Sequence, residues 1–230
     1  MLRILPLLGI LLAGCITSID IKPPSPPVPQ GHRQLDLSIS LGEVQLIDQG
    51  MEHPLSEHQR RQAATDFEVG INELHLVREV RPPGQPADLL YTVTSRELSD
   101  FGRDTGIAVY QGVMGLFALI LPIPYPYQME YHDIVQLRTQ LDGSAYLVRE
   151  YDIHSSVTIW GLTVWAPLFA EDNIQLSMVK RVIPQTGHRM LAEYSLYERL
   201  EQAIRSGDDG AVRKLLIPPR HPSPKPGNRQ

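Results

Sequence analysis

Cysteine is almost missing from this sequence, since Cys15 is the single cysteine among 230 residues. No disulfide can therefore form within the chain, and no cysteine beyond position 15 can serve as a nucleophile or metal ligand. Basic residues are also in short supply, with 21 Lys and Arg against 26 Asp and Glu and a net charge of -5. This mildly acidic balance argues against nucleic acid as a partner and against charge-driven binding to anionic lipid.

Familiar catalytic motifs are missing as well. The sequence contains no Gly-x-Ser-x-Gly elbow, no His-Glu-x-x-His pair and no glycine-rich phosphate loop. Glu52, His53, Glu57 and His58 lie close together, but they sit in a polar stretch before a predicted helix, which is typical of a solvated surface. We therefore predict a protein that is not an enzyme and that carries no cofactor.

The first fifteen residues contain no acidic side chain and have the pattern of a secretion signal. Arg3 is followed by an apolar run over residues 4–12 and by Leu12-Ala13-Gly14-Cys15. The run is too short to span a bilayer comfortably, and a buried cysteine in an ordinary helix fits Pro6 poorly. The Leu-Ala-Gly-Cys ending resembles a bacterial lipobox, which implies removal of residues 1–14 and acyl chains on Cys15. In such lipoproteins the absence of aspartate at position 16 implies the outer membrane, at its periplasmic face.

Removing residues 1–14 leaves 216 residues with a net charge near -6, enough for one domain. Residues 15–34 are predicted to be a tether, because prolines at 23, 24, 26, 27 and 29 prevent regular hydrogen bonding. Residues 218–230 are again proline-rich and are predicted to be a disordered tail. The body of the protein is then an αβ domain over 35–170 with C-terminal helices over 171–217.

Hydrophobic periodicity predicts mixed α and β structure in that body. Residues 35–47 alternate as a strand, and a helix over 57–72 begins with a cap at Ser56 and Gln59 three residues later. Further strands are predicted over 75–80 and 88–97, and helices over 172–181, 190–206 and 208–216. The predicted fold class is α+β, a mostly antiparallel sheet with a packed helix, followed by a C-terminal helical segment.

A β-hairpin is predicted from residues 134–141 and 145–153 around Asp142-Gly143. A two-residue turn would mix apolar and charged positions on both faces. A three-residue turn, Asp142-Gly143-Ser144, instead gathers one apolar face, and we prefer it because burial fixes register. That face consists of Val135, Leu137, Leu141, Ala145, Leu147, Tyr151 and Ile153.

One set of short segments consists of residues 87–93, 121–125, 160–162 and 166–169 and the Asp142-Gly143 turn. These segments resemble a group of uncharacterised proteobacterial lipoproteins whose periplasmic domain is similar to small αβ modules such as the TolB amino-terminal domain. The resemblance covers roughly residues 35–170, and it implies a fold and a location but no catalytic residues. Separately, residues 200–208 and 212–216 are similar to the helix pair of one ankyrin repeat. A lone repeat cannot bury its own face, so we expect an ordinary helical hairpin there.

Two segments carry no charged side chain, residues 105–129 and residues 155–170. Pro122, Pro124 and Pro126 leave only residues 107–121 as possible helix in the first, which is short for a membrane span. The preferred interpretation is buried core. The alternative is an exposed apolar surface that contacts the bilayer or a partner protein. Its expected contact residues are Phe117, Tyr125, Tyr127, Trp160 and Trp165.

His132 and His154 are the sharpest candidate site. In the three-residue-turn register they stand directly opposite each other on the polar face of the hairpin, with Asp152 nearby. Two opposed imidazoles can bind a divalent metal or respond to pH, or they can form a solvated cross-strand pair, which we prefer because structural zinc normally has four ligands.

The function that we expect from these observations is a lipid-anchored outer-membrane lipoprotein that acts as a non-enzymatic binding or assembly module in the cell envelope. Its expected partners are the membrane, through Cys15, and an envelope protein. The alternative is a periplasmic enzyme or a protein that binds a small ligand or metal in a cleft near the 134–153 hairpin. A deep pocket with converging polar groups would favour that alternative.

Overall fold

A computed structural model of the chain describes residues 16–22, 31–48, 51–98, 125–161 and 178–218. Within these ranges seven strands form one sheet, in the order β1-β7-β6-β5-β2-β3, with β4 beside β2. The strands are β1 (Ile16–Lys22), β2 (Leu35–Asp48), β3 (Met51–His53), β4 (Val77–Arg81), β5 (Leu89–Leu98), β6 (Tyr125–Leu141) and β7 (Ser144–Gly161). The helices are α1 (Glu57–Leu74), α2 (Met178–Ala192), α3 (Tyr194–Ser206) and α4 (Asp209–Leu215).

The sheet is mostly antiparallel, and helices follow it in the chain, so the predicted α+β class is confirmed. Antiparallel pairs join β1 to β7, β7 to β6, β6 to β5 and β2 to β3. The strand β2 pairs in parallel with both β4 and β5. The chain returns from β2 to the parallel strand β4 through α1, as the crossover between parallel neighbours requires.

The cap predicted for α1 is present. The backbone N–H of Gln59 donates to Ser56 Oγ at 3.3 Å, and the backbone N–H of Ser56 donates to Gln59 Oε1 at 2.8 Å. Each residue thus satisfies a backbone donor of the other, which is the capping box. The helix ends at Leu74, where His75 takes a left-handed conformation with φ of 50°. This explains why β4 begins at Val77 and not at the predicted position 75.

The core lies between one face of the sheet and the helices. Strands β2, β5 and β6 contribute alternate apolar side chains, and α1, α2 and α3 cover them. Tyr197, Leu200 and Val182 are examples of helical residues without exposed surface. Gly187 lets α1 and α2 approach closely, since a Cβ there would lie 2.6 Å from Leu74 Cδ1.

The β6–β7 hairpin differs from the prediction at its turn. Leu141 pairs with Ser144, so the turn has two residues, and both Asp142 (φ 50°) and Gly143 (φ 74°) have positive φ. These angles suit the type I′ turn that Asp-Gly favours in hairpins. The predicted three-residue turn is therefore wrong.

A β-bulge at Val148 corrects the register beyond the turn. Arg138 pairs with Leu147, but the preceding Leu137 pairs with Arg149, so Val148 is an extra residue in β7. Val148 is fully buried, whereas Ala145 is exposed and Leu147 is only half-buried. Ala145 and Leu147 were assigned to the buried face and are not on it, while the other five residues of that predicted face are buried.

Strand β1 lies inside the segment predicted to be a tether. Residues 16–22 pair with β7 at an edge of the sheet, so the tether prediction does not hold for them. The proline-dense residues 23–29 lie outside the described ranges, as do residues 1–14 and 219–230.

The C-terminal helices also have different bounds from those predicted. Helix α2 runs without a break from Met178 to Ala192, through residues 182–189, which separate the predicted helices 172–181 and 190–206. Thr186 explains part of the difference, because it is buried and its hydroxyl lies 3.1 Å from the hydroxyl of Tyr91 on β5. Packing on the sheet thus outweighs weak helix propensity. The predicted residues 172–177 lie outside the described ranges.

Candidate functional site

His132 and His154 lie directly opposite each other, as the sequence predicts. They are Cα partners on β6 and β7. Their rings are stacked, with centroids 4.4 Å apart and planes only 5° from parallel. The side chain of His132 is 22% exposed and that of His154 is 68% exposed. The ring of His132 is thus largely enclosed by its surroundings, whereas the ring of His154 is mostly open to solvent.

The sequence argument reached this pairing through a wrong turn. The true turn is one residue shorter than predicted, which alone would place His132 opposite Ile153. The extra residue at Val148 then restores the pairing of His132 with His154. Two errors of one residue cancel, so the pair is where it was predicted.

Asp152 joins both rings. Its Oδ1 atom is hydrogen-bonded to Nε2 of His132 at 2.7 Å and lies 3.2 Å from Nε2 of His154, so one carboxylate oxygen contacts both rings. Asp152 follows from the period of the strand, because it is two residues before His154 and shares its face. One potential ligand atom from each of the three residues lies within 4.8 Å of the others. We call these three residues the His–Asp–His cluster.

The cluster occupies the sheet face opposite the core. Thr94 and Arg96 on β5 are the Cα partners of Ile134 and His132, so they lie beside these residues on the same face of the sheet. Arg96 is exposed, and Thr94 and Ile134 are half-buried. Among the described helices, those that bury the sheet lie on the other side. The cluster is therefore open to solvent within the described part of the chain.

A buried ion pair on the core face was missed by the sequence analysis. Arg181 on α2 donates from Nη2 to Asp133 Oδ1 at 2.7 Å and to Oδ2 at 2.8 Å, and neither side chain is exposed. Ser95 Oγ donates to Asp133 Oδ1 at 2.5 Å, and the Arg181 guanidinium lies 4.0 Å from the ring centroid of Tyr131. The signal in the sequence is Asp133 itself, a carboxylate at an inward position between Tyr131 and Val135.

Two tyrosines form a second buried polar contact. The hydroxyls of Tyr151 and Tyr197 are 2.7 Å apart, and Glu193 Oε2 lies 3.4 Å from the Tyr151 hydroxyl. Burial raises the pKa of Tyr151 to about 12. Burial also raises the pKa of Tyr197, because the anion would be poorly solvated there. Both groups therefore stay neutral and tie β7 to α3.

A cavity of about 540 Å³ lies between β2, β3 and the first turns of α1, at the end of the strand order opposite β1. Its lining includes Gln45, Glu52, His53 and Arg60. Glu52, His53, Glu57 and His58 are all exposed, in agreement with the solvated surface that the sequence predicts. The cavity is two strands away from β6, whereas the cleft of the alternative function was expected beside the 134–153 hairpin.

Three of the other predicted site residues belong to the hairpin strands, and three lie outside the described residues. Cys15, Phe117 and Trp165 lie outside the described residues. Tyr125 and Tyr127 belong to β6, and Trp160 belongs to β7. Tyr125 pairs with Gly161, and Tyr127 with Ile159, so these positions lie at the end of the hairpin far from its turn. No helix in the described ranges is both long and apolar enough to cross a membrane.

Comparison with known proteins gives no family. No family model matches the chain, and no curated protein matches it. Among solved structures, the chain is similar to a dodecamer of a PelC variant from Paraburkholderia phytofirmans, with 15% sequence identity over 73% of this chain and 96% of that chain. The TM-score of this match is 0.28, so we draw no conclusion about this chain from it.

Proposed function

We propose that this protein is a lipid-anchored lipoprotein of the outer membrane and that its αβ domain is a non-enzymatic binding or assembly module on the periplasmic side. The observation that carries the proposal is the meeting of three strand ends. Ile16 and Tyr125 both pair with Gly161, so the start of β1, the start of β6 and the end of β7 lie together.

The neighbours of these three residues in sequence are the features that point to a membrane. Cys15 of the lipobox pattern is bonded directly to Ile16. Tyr125 belongs to the uncharged segment 105–129, and Gly161 belongs to the uncharged segment 155–170. Acyl chains on Cys15 would therefore be attached at the same end of the sheet at which both uncharged segments join it. A lipid anchor of several chains holds a protein stably at a bilayer.

This arrangement favours contact with the bilayer, as opposed to burial in the core, for the end of the hairpin that is far from its turn. Tyr125, Tyr127 and Trp160 are aromatic residue types that concentrate at membrane interfaces, and all three belong to this end. The polar face that carries the His–Asp–His cluster and the exposed sides of the helices remain for a partner protein in the envelope.

The anchor is tested by the Cys15→Ala variant expressed in cells with an outer membrane. We expect the variant to lose its acyl mass and to give no stably membrane-anchored mature form, whereas Ser25→Ala, a change in the proline-rich segment, should keep both its acyl mass and its anchored mature form. Mature Cys15→Ala protein that stays in the outer membrane at high salt without acyl mass would refute the lipobox interpretation.

The binding role is tested by photo-crosslinking in intact envelopes. A crosslinking residue at Thr94 probes the polar sheet face, and one at the exposed Glu68 on α1 probes the helical side. We expect one of the two positions to give a discrete protein adduct that the other does not give. Lack of an adduct from both positions in anchored protein would count against a partner protein on these two surfaces.

A further inference from the structure

We propose that His132, Asp152 and His154 form an exchangeable site for a divalent transition metal, with Zn²⁺ as the ion that fits best. The proposal is independent of the lipid anchor. It rests on the convergence of three ligand atoms within 4.8 Å, on the unequal exposure of the two rings and on the position of the cluster within the sheet.

The distances are close to those of a zinc site. Zinc binds imidazole nitrogen at about 2.0–2.1 Å and carboxylate oxygen at about 2.0–2.2 Å, so neighbouring ligand atoms of a tetrahedral site are about 3.3 Å apart. Asp152 Oδ1 is 3.2 Å from Nε2 of His154, which already meets this spacing. It is 2.7 Å from Nε2 of His132, so the carboxylate would need to move by roughly half an ångström to admit the ion.

One ring must also turn, because stacked parallel rings direct their lone pairs along parallel lines. An ion in the plane of one ring would lie outside the plane of the other at the observed 5° angle. His154 has the more space to turn, because 68% of its side chain is exposed, whereas 22% of the His132 side chain is exposed. We therefore expect His132 and Asp152 to present a partly formed site that His154 completes.

The scaffold limits the cost of forming the site. At the cluster β6 is paired on both sides, with β5 and with β7, and β7 is held by its ladder with β6, since β1 pairs only with residues 156–161 of β7. Ligands on paired strands keep their spacing better than ligands on loops. In the absence of metal Nε2 of His132 is hydrogen-bonded to Asp152 and Nε2 of His154 lies 3.2 Å from the same oxygen, and on metal binding each ring would hold its proton at Nδ1 and offer Nε2 to the ion.

The ligand set selects the class of metal. Two imidazoles and one carboxylate suit Zn²⁺ and its neighbours in the first transition row, whereas Ca²⁺ and Mg²⁺ prefer oxygen ligands alone. The carboxylate of Asp152 offsets part of the positive charge of the ion. Arg96, the Cα partner of His132 on β5, would repel the ion, but its side chain is exposed and solvent screens its charge. Three protein ligands leave a fourth position to water, as in sites where the metal exchanges or meets a further ligand.

The test is Zn²⁺ titration of the full chain by calorimetry and by competition with a chromophoric chelator. All samples carry Cys15→Ala so that the thiol cannot bind the metal. We expect one equivalent of Zn²⁺ to bind, and we expect His154→Ala and Asp152→Asn each to weaken it by about tenfold or more, since even residues that only support a ligand contribute about 10–100-fold. His188→Ala, a change at an exposed histidine on α2, should leave the affinity unchanged.

Substitution with Co²⁺ supplies a second measurement that does not depend on stability. The visible absorption bands of a four-coordinate site should appear with one equivalent of Co²⁺ and should be lost in His154→Ala. That variant should remain folded, because the side chain is mostly exposed. No saturable binding to the full chain would overturn the proposal. So would an affinity that His154→Ala and Asp152→Asn leave unchanged, or one that His188→Ala lowers equally.

Discussion

Asp133 on β6 and Arg181 on α2 form a salt bridge of 2.7 Å in which neither side chain is exposed to solvent. It lies on the core side of the sheet, one residue along β6 from His132 on the opposite face. Burying two charges costs several kcal/mol for each ion, and close geometry with additional hydrogen bonds is needed to offset that cost. Ser95 and the ring of Tyr131 provide such additional contacts.

Removing one partner of this pair should therefore destabilise the domain strongly. Asp133→Leu leaves the Arg181 guanidinium buried without its carboxylate, which we expect to cost about 3–5 kcal/mol. The double variant Asp133→Leu with Arg181→Met removes both charges and should recover much of that loss. Urea unfolding of both variants measures the difference. The exposed pair of Glu57 and Arg61 is the control, and Glu57→Ala should cost less than about 1 kcal/mol. Equal stability of the single and double variants would contradict this account.

Stability should fall in acid because of Glu201. This buried carboxylate accepts two hydrogen bonds from Arg33 and one from the backbone N–H of Asp36, and the Arg33 contact lowers its pKa below the ordinary value of 4.5. Its contribution to stability is then complete above about pH 4.5 and is lost as the pH falls through the lower pKa of the folded state.

Unfolding free energies measured from about pH 7 downward test this expectation. Glu201→Gln should be less stable than the unmodified chain near neutrality, and its stability should change less between neutral and acid pH. Glu198→Gln is the matched control, since Glu198 is on the same helix, is 42% exposed and lies 3.7 Å from the same Arg33. A pH dependence that Glu201→Gln leaves intact would show that other carboxylates are responsible.

The turn of the hairpin should depend on Gly143. Its φ of 74° is in the left-handed region, and no atom lies within 4 Å of a Cβ built there, so a side chain meets backbone strain and no clash. Gly143→Ala should destabilise the domain by about 1–2 kcal/mol, measured by thermal unfolding. The neighbouring exposed Ser144→Ala serves as the control and should have a smaller effect. A three-residue turn in solution would make Gly143→Ala nearly neutral.

Local patterns in the sequence predict the elements better than they predict the pairing between them. Ser56 and Gln59 identify the start of α1 because a capping box depends on neighbours in the chain. The bulge at Val148 has no such local signal, since Val148 is an ordinary apolar strand residue. The alternation of apolar residues was therefore fitted by a longer turn, although Asp142-Gly143 favours the two-residue turn that forms.

The candidate sites likewise differ in how much of their geometry the sequence pattern predicts. Asp152 and His154 share a face by strand period, which can be counted along the sequence, whereas the pairing of His154 with His132 was predicted only because the shorter turn and the bulge at Val148 cancel. The partner of Asp133 cannot be counted in this way, because Arg181 is 48 residues away on another element. Likewise, the parallel pairing of β2 with β5 and the cavity beside β3 depend on how separate elements assemble.

The meeting of Ile16, Tyr125 and Gly161 at one end of the sheet also determines how far the protein would reach from a membrane. Strand β6 has 17 residues, and a rise of about 3.3 Å per residue makes it roughly 55 Å long. With acyl chains on Cys15, a sheet standing upright would hold Asp142 and Gly143 at that height above the lipid. The hairpin turn would then be the part of the sheet that extends deepest into the periplasm, and the His–Asp–His cluster, seven residues along β6 from Tyr125, would lie nearer the bilayer than the turn.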